Sequence, residues 1–101
     1  MHSNLPLDLR PEHLQLVLRI LKEHVPDLEV RAFGSRIQGN AKPHSDLDIA
    51  IMTAQPLSLN AMANLQDAFG ESSLPMKIDV LDWQTISPEF RTLIEKKNIV
   101  I

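Results

Sequence analysis

Apolar positions along this chain fall into blocks whose spacing changes from helical to extended and back. Between Pro11 and His24, Leu14, Val17, Leu18 and Leu21 recur at the intervals of one helical face, and Leu16 and Ile20 widen that stripe. Pro11 suits a first helical turn, where its missing N–H leaves no bond unmade, and Pro26 stops the helix. Glu29-Val30-Arg31-Ala32-Phe33 alternates charged and apolar side chains, which is the period of a strand. From Gly34 to Ser45 the chain is polar and broken by Gly39, Asn40 and Pro43, which predicts a turn, a short helix and a loop. Asp46 to Met52 predicts a second strand, and its apolar centre, Ile49-Ala50-Ile51-Met52, suits a strand covered on both faces.

Ser58 is placed to cap a second long helix that ends before Gly70, with Leu59, Met62, Leu65 and Phe69 as its apolar stripe. Met76 to Leu81 predicts a third strand. Ser87-Pro88 opens a last helix through about Lys97, with Phe90, Leu93 and Ile94 inward. The apolar tail Ile99-Val100-Ile101 could add a strand, join the core, or enter a partner's groove. The resulting order of helices and strands predicts an α/β (α+β) fold, a small mixed β-sheet flanked by helices.

Bulk properties narrow the function classes. At 101 residues, the expectation is one domain over 1–101, with 44% hydrophobic residues to supply one core. A formal net charge of -3 with scattered Lys and Arg gives no reason to expect direct nucleic-acid binding. The absence of cysteine excludes disulfides and thiolate metal sites. No apolar run approaches the roughly 20 residues that span a bilayer, and Met1 to Pro6 lacks the basic start and apolar stretch of a signal peptide. A cytoplasmic protein is the expectation.

The candidate chemistry lies in Phe33-Gly34-Ser35-Arg36-Ile37-Gln38-Gly39 and Ser45-Asp46-Leu47-Asp48-Ile49. Residues i and i+2 of a strand share a face, so Asp46 and Asp48 project side by side where an apolar strand begins. Two carboxylates so close repel unless a cation lies between them, and oxygen-rich sites suit Mg²⁺. Asp79 sits between Ile78 and Val80 in another apolar strand, where a charge also needs a partner or a metal. If those strands are neighbours, three carboxylates meet, as two-metal phosphoryl transfer requires. Gly34 ends a strand and Ser35 opens a helical turn, where backbone N–H groups can face a phosphate and the missing side chain allows close approach. Ser35 adds a hydroxyl donor. Arg36 adds a fixed positive charge, aimed at phosphates or at a carboxylate. Gly39 lets the chain turn back toward the second strand. Each fragment alone is an ordinary turn or loop end; their order and placement together point to a site.

The string Gly34-Ser35-Arg36-x-x-Gly39 followed by Ser45-Asp46-Leu47-Asp48 resembles the signature of the DNA polymerase β-like nucleotidyltransferase superfamily, in particular its antitoxin-type minimal nucleotidyltransferases. The resemblance covers nearly the whole chain. It implies a polymerase β-like nucleotidyltransferase fold and an enzyme that moves a nucleoside monophosphate, AMP from ATP in the first instance, onto a hydroxyl acceptor. By the same resemblance Gly34 and Ser35 would bind the triphosphate, with Arg36 and Ser45 in the nucleotide-binding set. Asp46, Asp48 and Asp79 would hold two Mg²⁺ ions, and Asp79 would also help activate the attacking hydroxyl. The implied partner is a helical HEPN-domain toxin, and the implied acceptor is a tyrosine of that toxin. Two features depart from the family. Position 38 is Gln, where many relatives carry a basic residue or Ala, and the expectation from 101 residues is a protein without the domain that larger relatives use to hold base and acceptor.

Other polar residues carry blander expectations. His2, His13, His24 and His44 lack paired ligand spacing and read as surface groups, with His44 near enough to Asp46 to edge the site. Lys42 reads as a loop lysine within reach of phosphates, and Lys77 alternates with Asp79 and could pair with a carboxylate. Trp83 reads as a core or interface anchor rather than a base-stacking ring. Asp82 faces away from Asp79 by strand alternation and stays outside the metal set. Met52, Met62 and Met76 read as core filler. Two other function classes compete with the enzyme: an antitoxin that neutralises by contact alone, and an NTP sensor that binds without transfer.

Overall fold

The structure is a computed structural model that describes residues 7–42 and 44–101. The readings placed on Met1 to Pro6, including His2, and on Pro43 lie outside the described residues. Along the chain run α1 (Pro11–His24), β1 (Val30–Phe33), α2 (Ser35–Gln38), β2 (Leu47–Ile51), α3 (Leu59–Gly70), β3 (Ile78–Asp82), α4 (Pro88–Lys96) and β4 (Ile99–Val100), with a 3-10 turn at Trp83–Thr85. The strands form one mixed sheet in the order β3-β2-β1-β4. Strand β1 runs antiparallel to both β2 and β4, and β2 runs parallel to β3. A parallel pair needs a crossover between its strands, and α3 supplies it.

Strand alternation separates the sheet into a core face and a site face. Ala32, Leu47, Ile49, Ile51 and Val80 point to the core face and are buried with Val17, Leu21, Leu65 and Phe69 of α1 and α3. Phe33, Asp48 and Asp79 form one row on the other face, because Phe33 pairs with Asp48 and Asp48 pairs with Asp79. The mixed sheet with flanking helices is the architecture that the hydrophobic pattern predicts.

The caps follow the sequence reading. The Ser58 hydroxyl accepts from the Ala61 N–H at 3.0 Å, and the Ser87 hydroxyl accepts from the Phe90 N–H at 3.2 Å. Asp82 is buried and faces the core side. Its carboxylate accepts from the Thr53 hydroxyl, the Leu57 N–H and the Gln84 N–H, which fastens the segment after β2 to the end of β3. The apolar tail takes the strand option, with Ile99 opposite Ala32 and Val100 opposite Arg31.

Four expectations are corrected. Helix α3 continues through Gly70, and the Glu71 N–H still donates to Asp67 O at 2.9 Å. Strand β3 is Ile78–Asp82 rather than Met76–Leu81, although Met76 is buried before it. Leu59 is 89% exposed, because the apolar stripe of α3 begins one turn before the helix reaches the sheet. In α4 only Ile94 is buried; Leu93 is 59% exposed, and Phe90 lies at the surface with its ring edge-on to Phe33 at 5.9 Å. Helix α4 therefore touches the site face along one line and leaves a cleft beside it.

Two substitutions on one helix separate packed from unpacked stripe positions. Leu65→Ala is expected to destabilise the fold by about 2–5 kcal/mol in chemical denaturation, since Leu65 has no solvent exposure. Leu59→Ala is expected to stay within about 0.5 kcal/mol of the parent.

Candidate active site

The parallel register of β2 and β3 sets Asp48 directly beside Asp79 on adjacent strands. Strand spacing places such neighbours about 4.8 Å apart at the backbone. Asp48 is half-buried and Asp79 is exposed on the edge strand. Asp46 is exposed in the segment that leads into β2, two residues before Asp48. The register thus brings Asp48 and Asp79 together, and Asp46 lies near enough for its charge to act on Asp48.

Their charges act on one another. The Asp48 carboxyl is pushed up from its ordinary 3.8 to about 6, first by burial, then by the negative charges of Asp79 and Asp46. The side chains are not closed into a cage: no group of three or more His, Asp or Glu among the described residues is gathered tightly enough to grip a metal ion. The donor set, carboxylate oxygens at an apolar strand end open to water, fits a hard cation such as Mg²⁺.

Gly34 closes the site from β1. Its φ of 84° is a region that other residues rarely adopt. A Cβ at this position would overlap the Asp48 carboxylate oxygen, so the positive φ calls for glycine and any other residue would also displace that carboxylate. Gly39, at φ 82° in the left-handed region, caps α2 and turns the chain toward β2. Ser35 starts α2 directly after Gly34 and is half-buried.

Arg36 does something that the sequence pattern did not suggest. It is 6% exposed, and its guanidinium donates from Nε and an Nη to Ser45 O at 3.0 and 2.9 Å and from the other Nη to Asp8 O at 2.8 Å. These bonds grip backbone carbonyls and hold the residue just before Asp46. Ser45 completes the loop, its hydroxyl accepting from the Lys42 N–H at 2.8 Å and its own N–H donating to Lys42 O at 3.0 Å. Both residues shape the approach to Asp46.

A cleft of about 440 Å³ opens on this row and is lined by Gly34, Asp48 and Asp79 together with Phe33, Leu81, Phe90, Leu93 and Ile94, and by Gln38 and Lys97. Its size suits a nucleotide, and one wall is apolar while the other carries the carboxylates. The sequence reading assigned Phe90 and Leu93 to the core and gave Lys97 no role. A surface aromatic and a lysine seven residues apart, at 90 on the last helix and 97 just after it, would have been the only available signal. A larger hollow of about 570 Å³, between the end of α3 and β3, shares Asp79 but neither Gly34 nor Asp48, so it is not the centre of the carboxylate cluster.

The remaining candidates lie elsewhere. His44 is exposed and lines a different cleft with His13 and Arg36, so it does not edge the site. Lys42 and Lys77 are exposed, and neither forms an ion pair among the described residues. Trp83 is half-buried against the core, with the Arg91 guanidinium 5.1 Å from its ring centre.

Comparison with known proteins bears on this geometry. The family model described as Polymerase beta, Nucleotidyltransferase matches residues 16–101. The chain is 48% identical, over its whole length and 89% of the relative's, to a Haemophilus influenzae protein named "Probable protein adenylyltransferase MntA". Among solved structures it superposes on a toxin–antitoxin with AMP-PNP at a TM-score of 0.72 and 25% identity, covering 85% of this chain and 69% of that one. It also superposes on a mutant toxin–antitoxin MntA-HpeT at 0.71 and 26% identity, covering 87% and 70%.

The raised Asp48 carboxyl sets a pH dependence. The folded chain holds this proton more tightly than the unfolded chain, so ionising it costs stability as pH rises from 3.8 to about 6, and the whole cost is present above that range. A two-unit shift corresponds to about 3 kcal/mol for a dry group, which solvent screening at this half-exposed carboxylate reduces to on the order of 1 kcal/mol. In chelator at pH 7, Asp48→Asn is expected to be more stable than the parent by that amount in chemical denaturation, and the difference should shrink as the pH falls toward 3.8.

Proposed function

The chain belongs to the polymerase β nucleotidyltransferase family and is a MntA-like minimal nucleotidyltransferase, and from that membership we propose that it transfers AMP from Mg-ATP to a tyrosine hydroxyl of a helical HEPN-domain toxin, acting as its antitoxin. The observation that carries the proposal is the row of Gly34, Asp48 and Asp79 along one nucleotide-sized cleft. The name of the Haemophilus relative supports protein adenylylation, and the toxin–antitoxin structures support a toxin as partner.

In this reading Asp46, Asp48 and Asp79 are the residues that would hold the cations. Bound Mg²⁺ would supply charge neutralisation at the reacting phosphate. Gly34, lacking a side chain, lets the triphosphate lie against the β1–α2 turn, where Ser35 offers its hydroxyl. Arg36 fixes the Ser45 carbonyl, so Asp46 enters the site at one position. Asp79, on the exposed edge strand, is open to an incoming hydroxyl, orients it and takes its proton on a carboxylate oxygen. The acceptor oxygen forms a bond to the α-phosphorus, the bond to the β-phosphate oxygen breaks, and pyrophosphate leaves. The apolar wall of Phe33, Leu81 and Phe90 gives the nucleoside a surface away from the charges.

Co-expression with the partner toxin and intact-mass measurement after incubation with Mg-ATP tests the proposal. The wild-type chain should add AMP to the toxin, and a chelator should abolish the addition. Asp46→Asn and Asp48→Asn should each slow it at least about a hundredfold while leaving the complex intact. A stable, neutralised complex with no added mass would instead establish an antitoxin that works by contact.

A further inference from the structure

We infer that Lys97 binds the phosphate tail of the nucleotide, an assignment that rests on the nucleotide-binding reading above. The site is negative: Asp48 and Asp79 line it, Asp46 lies near enough for its charge to act on Asp48, and an NTP adds further anionic charge. Cations at the carboxylates offset part of this, and a polyphosphate still calls for a basic side chain at its outer end. Arg36, the basic residue nearest Gly34 in sequence, directs its guanidinium bonds to the carbonyls of Ser45 and Asp8. Among the residues that line the cleft with Gly34, Asp48 and Asp79, the cationic one is Lys97.

Its placement is built rather than incidental. Lys97 follows α4, and its N–H donates to Ile94 O at 3.2 Å. The Asn98 amide donates to the same carbonyl at 2.9 Å, which tightens the turn. Ile94 is 2% exposed, and Ile99 is paired to Ala32 of β1. Lys97 is therefore held between a buried helix anchor and a strand pairing on β1, the strand that ends at Gly34. It also lines the adjoining hollow along α2 with Gln38 and Gly39. A lysine at a helix C-terminus also complements the helix dipole, a role that Lys96 serves equally without lining the cleft.

Calorimetric titration of the full chain with Mg-ATP and with AMP tests the assignment on the wild type and on Lys97→Met, Lys97→Arg and Lys96→Met. Lys97→Met should weaken Mg-ATP binding about tenfold, the loss expected for one charge-assisted hydrogen bond, and should change AMP binding by no more than about twofold. Lys97→Arg should recover most of the Mg-ATP affinity, and Lys96→Met should match the wild type. Unchanged Mg-ATP affinity in Lys97→Met would overturn the assignment. So would equal losses for ATP and AMP, or an equal loss in Lys96→Met. Absence of Mg-ATP binding by the wild type would instead overturn the nucleotide-binding reading itself.

Discussion

Asp48 and Asp79 are held side by side by the parallel pairing of β2 with β3, and most features of this molecule either create that juxtaposition or answer its cost. Two carboxylates on adjacent strands repel, and burial of one of them adds to the penalty, as the raised Asp48 carboxyl records. The remainder of β2 opposes this with Leu47, Ile49, Ala50 and Ile51, none of which is exposed to solvent. Hydrophobic burial along the strand thus holds a local arrangement that electrostatics alone would spread apart.

Backbone features around the pair serve the same end. Gly34 lets β1 end against the Asp48 carboxylate, where any side chain would collide with it. Arg36 fastens the carbonyl before Asp46 to the segment at Asp8, so the third carboxylate arrives on a restrained loop. Helix α4, anchored by Ile94, stands off from the sheet far enough to leave the cleft and close enough for Phe90 to meet Phe33. The exposed Leu93 and Phe90, which look like misplaced core residues, are the wall of that cleft. Membership of the nucleotidyltransferase family gives these features a common purpose, the handling of a nucleotide and its phosphates.

Much of this was legible in the chain, because local rules governed it. The i, i+2 spacing of Asp46 and Asp48 and the apolar run behind them defined β2 and its charged entrance. Ser58 and Ser87 announced helix starts that the structure forms with the expected hydroxyl caps. What escaped depended on tertiary contacts. Arg36 bonds to carbonyls, which carry no side-chain signature, so its buried role could not be read from its neighbours. Leu59 and Leu93 continue helical stripes past the point where the helices touch the sheet, and periodicity cannot say where contact stops. Lys97 looked like an ordinary helix-end lysine until the β4 pairing brought its turn beside β1.

The central claim is that the Asp46, Asp48 and Asp79 carboxylates and the Gly34 turn hold a cation together with a nucleotide. Titration with Mn²⁺ and a non-hydrolysable ATP analogue, followed by amide NMR, measures this most directly. The account predicts that paramagnetic broadening appears first at Gly34, Asp48 and Asp79, spares the distant start of α3 at Leu59, and disappears in the Asp46→Asn/Asp48→Asn double variant. Broadening centred elsewhere, or undiminished in the double variant, would contradict it.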